Sequence, residues 1–186
     1  MLKRIGIPVA LAGAVLLLLS GCGGETGEQE QEMAAEEESP VEEVQEPATT
    51  PPDTTAEALW GHLMGENYAE NWAHWPGKTP FYEGTRPHGA LLSTYLNGTA
   101  LGAVTTDAAT LPSGSIIVKE NYMPDSTLAA VTVMYKVDGY DPDNNDWYWL
   151  KRTADGTVEA QGRVQGCIDC HGKALDNDFV LTGREH

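Results

Sequence analysis

From residue 90 onward the apolar runs are short and end in turn residues, and no long helical pattern separates one run from the next. "ALLSTYL" at 90–96, "SIIVKE" at 115–120, "LAAVTVMYKV" at 128–137 and "DWYWLKR" at 146–152 read as strands rich in β-branched and aromatic residues. "DGYDPDNN" joins the third to the fourth with residues that favour tight turns, which predicts an antiparallel hairpin. "ADG" at 154–156 turns the chain again towards 158–164. Parallel pairing needs a crossover, usually helical, so the expected class is α+β with a mainly antiparallel sheet.

The residues before this region supply a helix. Trp60, Met64, Tyr68, Trp72 and Trp75 recur at helical spacing until Pro76 and Gly77, and "TTAE" at 54–57 resembles a capping box. This predicts one N-terminal amphipathic helix packed on the sheet. A folded domain over 56–186 is of ordinary single-domain size.

Upstream the composition changes. Residues 23–58 hold 12 acidic side chains and no Lys or Arg, with few apolar groups to offset the entropy of ordering. Residues 22–55 are therefore expected to form a disordered acidic tether, with a reach of roughly 30 Å before charge repulsion lengthens it. Residues 1–21 read as an export signal: Lys3 and Arg4 precede a short apolar run, and "LSGC" at 19–22 looks like a bacterial lipobox. The run is shorter than the roughly 20 residues of a spanning helix. Cys22 is then the expected lipid attachment point, on the extracytoplasmic side of a membrane, where two or more acyl chains give durable anchoring. Without the signal, 9 basic residues face 28 acidic ones, a net charge of −19. Nucleic acid is an unsuitable partner for such a surface.

With Cys22 acylated, two of the three cysteines remain, Cys167 and Cys170, followed at once by His171 in "QGCIDCHG". Zinc needs four ligands and would recruit distant ones. A redox disulfide of this spacing usually sits in a thioredoxin-like βαβ setting. Covalent haem c needs two thiols for the porphyrin edge and an adjacent imidazole for the iron, which the order Cys167, Cys170, His171 supplies on a short helical segment. The second axial position decides between electron carrier and reactive site, and His62, His74, His88, Met64, Met123 and Met134 are its candidates.

Several segments, taken in order, resemble the cytochrome P-460 family, which includes the cytochromes c-prime-beta. They are "NYAENWAHWPG" at 67–77, "PHGALLSTYLN" at 87–97, "GSIIVKENY" at 114–122, "VMYKVDGYDP" at 133–142, "DWYWLK" at 146–151 and "CIDCHGKALDNDFVLTG" at 167–183. The resemblance implies a single c-type haem in an antiparallel β fold that often pairs into homodimers. It also implies a small nitrogen substrate or gas, hydroxylamine or nitric oxide, with a redox partner protein. In enzymatic members a strand lysine is joined to the porphyrin, and the matching residue is Lys119. Alternation puts Lys119 on the face of Ile117, opposite Ile116 and Val118. A lysine beside an apolar pocket loses its proton readily enough to act as a nucleophile; the plainer alternative is an edge-strand lysine that blocks aggregation. The sequence departs from the enzymatic members where a distal arginine and an acidic residue are expected, with Leu92 and Thr132 in those places and Arg86 and His88 as substitutes. Electron transfer, or gas binding without catalysis, are the alternative functions.

Overall fold

The computed structural model describes residues 51–183. The export signal, Cys22 and nearly all of the tether lie outside them. Thr55 opens the first helix, α1 (Ala56–Gly65), by accepting a hydrogen bond from the Ala58 amide at 3.1 Å. The cap is thus one residue later than the Thr54–Glu57 box anticipates. Ala56, Leu59 and Leu63 form the buried face, whereas Met64 on the expected stripe is exposed.

The predicted helix does not continue to Pro76. Gly65 ends α1, Asn67 takes a left-handed conformation with φ 49°, and a single turn, α2 (Tyr68–Asn71), follows. Strand β1 (Ala73–His74) then pairs with the sheet, so the aromatic stripe is divided between the two sheet faces. Tyr68 and Trp72 pack with α1, whereas Trp75 lies in the core of the other face.

The remaining strands are β2 (Tyr82–Glu83), β3 (Leu91–Leu96), β4 (Ile116–Tyr122), β5 (Leu128–Lys136), β6 (Trp147–Thr153) and β7 (Val158–Gly162). They form one antiparallel sheet in the order β1-β3-β4-β5-β6-β7, with β2 also on β3. The α+β expectation holds. A helix that the strand pattern did not anticipate, α3 (Gly98–Thr105), links β3 to β4; Asn97 caps it, and Ala100, Ala103 and Val104 are its buried residues. The last helix, α4 (Gln165–His171), carries the CIDCH segment as expected.

Alternation gives the sheet two faces with separate cores. Ile116, Val118, Val131, Val133, Tyr148 and Leu150 meet α1. On that face Glu120 is a buried carboxylate that accepts from the hydroxyls of Tyr68, Tyr95 and Tyr122 at 3.0, 3.0 and 2.6 Å. Burial and this carboxylate push the Tyr95 phenol up to about 12. The opposite face, with Ile117, Met134, Trp147 and Trp149, packs against α3, α4 and the chain at Phe179 and Val180.

Candidate functional site

The helices leave part of that second face uncovered, where it floors a cleft of about 850 Å³. Cofactor and small-molecule sites run to about 300–1,000 Å³. Cross-strand rows build the floor: Ile117, Met134 and Trp149 in one, Lys119, Thr132 and Lys151 in the next, Leu92, Asn121 and Ala130 in the third. Lys119 shares the face of Ile117, as alternation required, and stands in the interior of the sheet rather than on its edge.

Helix α4 brings the CIDCH residues to the same cleft. The Val164 carbonyl accepts from the amides of Cys167 and Ile168 to start it, Ile168 is buried, and Cys167, Cys170 and His171 line the cleft. Positions i, i+3 and i+4 fall on one side of a helix, which is why this spacing can present both thiols and the imidazole together. Both thiols are free and half-buried. Burial first, and then the neighbouring Cys170, push the Cys167 thiol up. A redox-active cysteine has the opposite tuning.

His171 is held by a feature the sequence reading did not identify. Its Nδ1 lies 2.8 Å from the Phe179 carbonyl oxygen. A carbonyl can only accept, so Nδ1 carries the proton and Nε2 keeps its lone pair for a metal, the usual support of a ligating histidine. Burial lowers the pKa of the ring, which favours its neutral form. Phe179 and Asp178 both take left-handed backbone conformations, with φ 64° and 53°, and this bend is what delivers the carbonyl. Asp178 pins the bend: its side chain accepts from the Leu111 amide at 2.7 Å, from Asn145 at 3.0 Å and from the Lys136 ammonium at 2.6 Å.

Burial pushes the Lys119 amine down to about 8. Leu92 and Thr132 also line the cleft, so the places of the distal arginine and acid carry no charge. Of the six candidates for a second axial position, His88, Met123 and Met134 line the cleft. His62 and Met64 are on α1, against the far face, and the His74 ring packs 4.6 Å from Tyr95 of that core.

The donor set and surroundings suit a haem better than the alternatives. Among the described residues no three His, Cys, Asp or Glu side chains gather closely enough to hold a metal ion by themselves, so the closed four-ligand set of a structural zinc site is not assembled there. Lys78, Arg86, Lys119 and Lys151 line the cleft against Glu83 alone, in a strongly acidic chain, which favours a group whose edge carries carboxylates. Trp149, 4.7 Å from the His171 ring, has its buried indole N–H without an acceptor among the described residues, a donor for a bound group to satisfy.

A search among curated proteins finds no match to the chain. A family model, Cytochrome P460, matches residues 69–182, more than half of the sequence, with all seven strands inside the matched range. The match begins within α2 and ends just beyond the bend that supports His171, so it takes in the whole cleft floor and the CIDCH helix, and with it the chain belongs to the cytochrome P460 family of c-type haem proteins.

Proposed function

We propose that this cytochrome P460 protein carries out redox chemistry on a small nitrogen species, hydroxylamine or nitric oxide, at a haem iron held by Cys167, Cys170 and His171. The two thiols form thioethers to the porphyrin and His171 Nε2 ligates the iron. When bound, the haem supplies an electron-accepting metal centre with a face for a small ligand. The residues around it exclude water, and a redox partner protein takes up the electrons.

The observation that carries this reading is Lys119, which shares the cleft with both thiols and His171 and has its amine lowered to about 8 by burial. On the order of a tenth of such an amine is unprotonated at pH 7, against well under a thousandth for an ordinary lysine. Lys119 is thus poised as a nucleophile towards a porphyrin ring carbon, a step that replaces C–H by C–N with loss of two protons and needs a two-electron oxidant of the peroxide class. Digestion and mass spectrometry of the holoprotein should yield a haem peptide that joins three chain positions, 119, 167 and 170. Lys119→Arg should lose the third link, keep the thioethers and lose hydroxylamine oxidation. A wild-type haem held by the two thioethers alone would sink the oxidase reading and favour gas binding.

The chain is exported and held to a membrane through acylated Cys22, with the acidic tether setting the domain off from the lipid. "LSGC" at 19–22 supports this. Cys22→Ala should move the protein from the membrane fraction to the soluble extracytoplasmic fraction; unchanged membrane association would count against the anchor.

A further inference from the structure

The loop between β2 and β3 places a second imidazole over the cleft. The His88 ring centre lies 6.3 Å from that of His171, with the planes at 85°. Edge-to-face ring pairs span centre-to-centre distances of about 4.5–7 Å, so this separation is compatible with direct packing and equally with an atom held between the rings. Two imidazoles that bind one metal ion from opposite sides, with bonds of about 2.0–2.1 Å, put their ring centres about 6 Å apart. Both rings line the cleft, so the space between them belongs to the site.

The tautomer of His88 is as well determined as that of His171. Its Nδ1 is 2.8 Å from Asn121 Oδ1. The Asn121 amide orientation follows from its other end, where Nδ2 meets the carbonyls of Lys119 and Ala130 and the Thr132 hydroxyl. Two of those three partners can only accept, so Nδ2 faces them and Oδ1 accepts from His88. The Nδ1–H is spent and Nε2 is left with its lone pair. Thr132 therefore has a use in this chain: where an acidic residue is expected, its hydroxyl helps to fix the Asn121 amide that orients a histidine.

The loop is built to hold that histidine in place. The His88 amide donates to the Thr85 carbonyl at 3.0 Å and the Gly84 amide to the Ala90 carbonyl at 2.8 Å. Gly89 donates to Asn121 Oδ1 at 3.3 Å, and a Cβ there would sit 2.5 Å from the Tyr122 amide nitrogen and carbonyl oxygen. Only glycine allows that approach. The remaining candidates are less suited: Met123 is half-exposed in the turn after β4, and Met134 is packed in the core row of the floor.

We propose that His88 Nε2 is the second axial ligand of the iron in the resting protein, so that a small nitrogen ligand must displace it. This rests on His171 being the first axial ligand, as in the function proposed above. His88 is then a positioning and gating residue, and the β2–β3 loop sets the affinity for incoming ligand.

The test is spectroscopy of the purified holoprotein. Electron paramagnetic resonance and absorption of the wild type should show low-spin iron. His88→Ala should be high-spin, return to low spin on addition of imidazole, and bind carbon monoxide or nitric oxide at least about tenfold more tightly, since the closed state no longer competes. His88→Met, which retains a ligand of another kind, should remain low-spin with a higher reduction potential. A high-spin wild type, or a His88→Ala variant that stays low-spin, overturns the assignment and leaves the nitrogen chemistry standing. The converse is also readable. If both spin states come out as expected but the opened variant neither oxidises hydroxylamine nor consumes nitric oxide, the proposed function fails while His88 remains the ligand.

Discussion

Replacing both Cys167 and Cys170 by Ser should reduce covalently attached haem to background, read as haem-dependent peroxidase stain on a denaturing gel. Each single Ser variant should retain stain, because one thioether still holds the porphyrin through denaturation. The pattern separates the three cargoes that two thiols and an imidazole could serve. A disulfide predicts an unstained wild type whose mobility changes on reduction, and a zinc site predicts an unstained wild type that binds metal. The doubly substituted protein should also unfold at a lower temperature. Trp75, Leu92, Ile117, Met134, Trp149 and Val180 line the cleft, so without its cofactor an apolar surface opens to water beside one of the two cores. A group bound only to the native state adds its binding free energy to stability.

How much of this was legible follows from the range of the interactions. Alternation is a local property, and it put Lys119 with Ile117 and away from Ile116 and Val118, as the two cores have it. The turn residues between β5 and β6 likewise announced an antiparallel pair, seen in the register of Lys136 with Trp147. The aromatic spacing from Trp60 to Trp75 misled because period alone cannot tell one helix from two short ones broken by a left-handed Asn67. Helix α3 had a signal, an Asn97 cap before apolar positions 100, 103 and 104, obscured by glycines and small side chains that lower helix propensity.

The site divides in the same way. Cys167, Cys170 and His171 were legible because one short helix carries all three. Phe179 was not, since its contribution is a backbone carbonyl, and any residue has one. His88 and Asn121 are 33 positions apart, and their hydrogen bond exists only because the β2–β3 loop folds back over β4.

Asp178→Ala should cost about 3–5 kcal/mol, the usual loss when one member of a buried ion pair is removed. Such a change would lower the midpoint of thermal unfolding by about 10–20 °C for a domain of this size. The Asp178 side chain is fully buried and that of Lys136 nearly so, so the variant leaves an ammonium group in a site that water reaches poorly. It also strips the Leu111 amide and the Asn145 side chain of their acceptor. Part of the cost is held back, since Lys136 still lies over the Trp147 ring at 4.8 Å, a cation–π contact that survives. Asp178→Asn, similar in shape and still able to accept, should lose less than the alanine variant. The two variants should differ in function as well as stability, because the Asp178 carbonyl takes the Trp147 indole N–H at 2.9 Å and the next carbonyl orients His171. If the side-chain contacts hold the bend, alanine loosens the hydrogen bond to His171 Nδ1 and weakens the iron–imidazole bond, visible as a shifted iron–histidine stretch in the Raman spectrum of the reduced His88→Ala background. An unchanged stretch at reduced stability would mean that the Trp147 bond alone holds the carbonyl in place, and that Asp178 serves the fold without serving the iron.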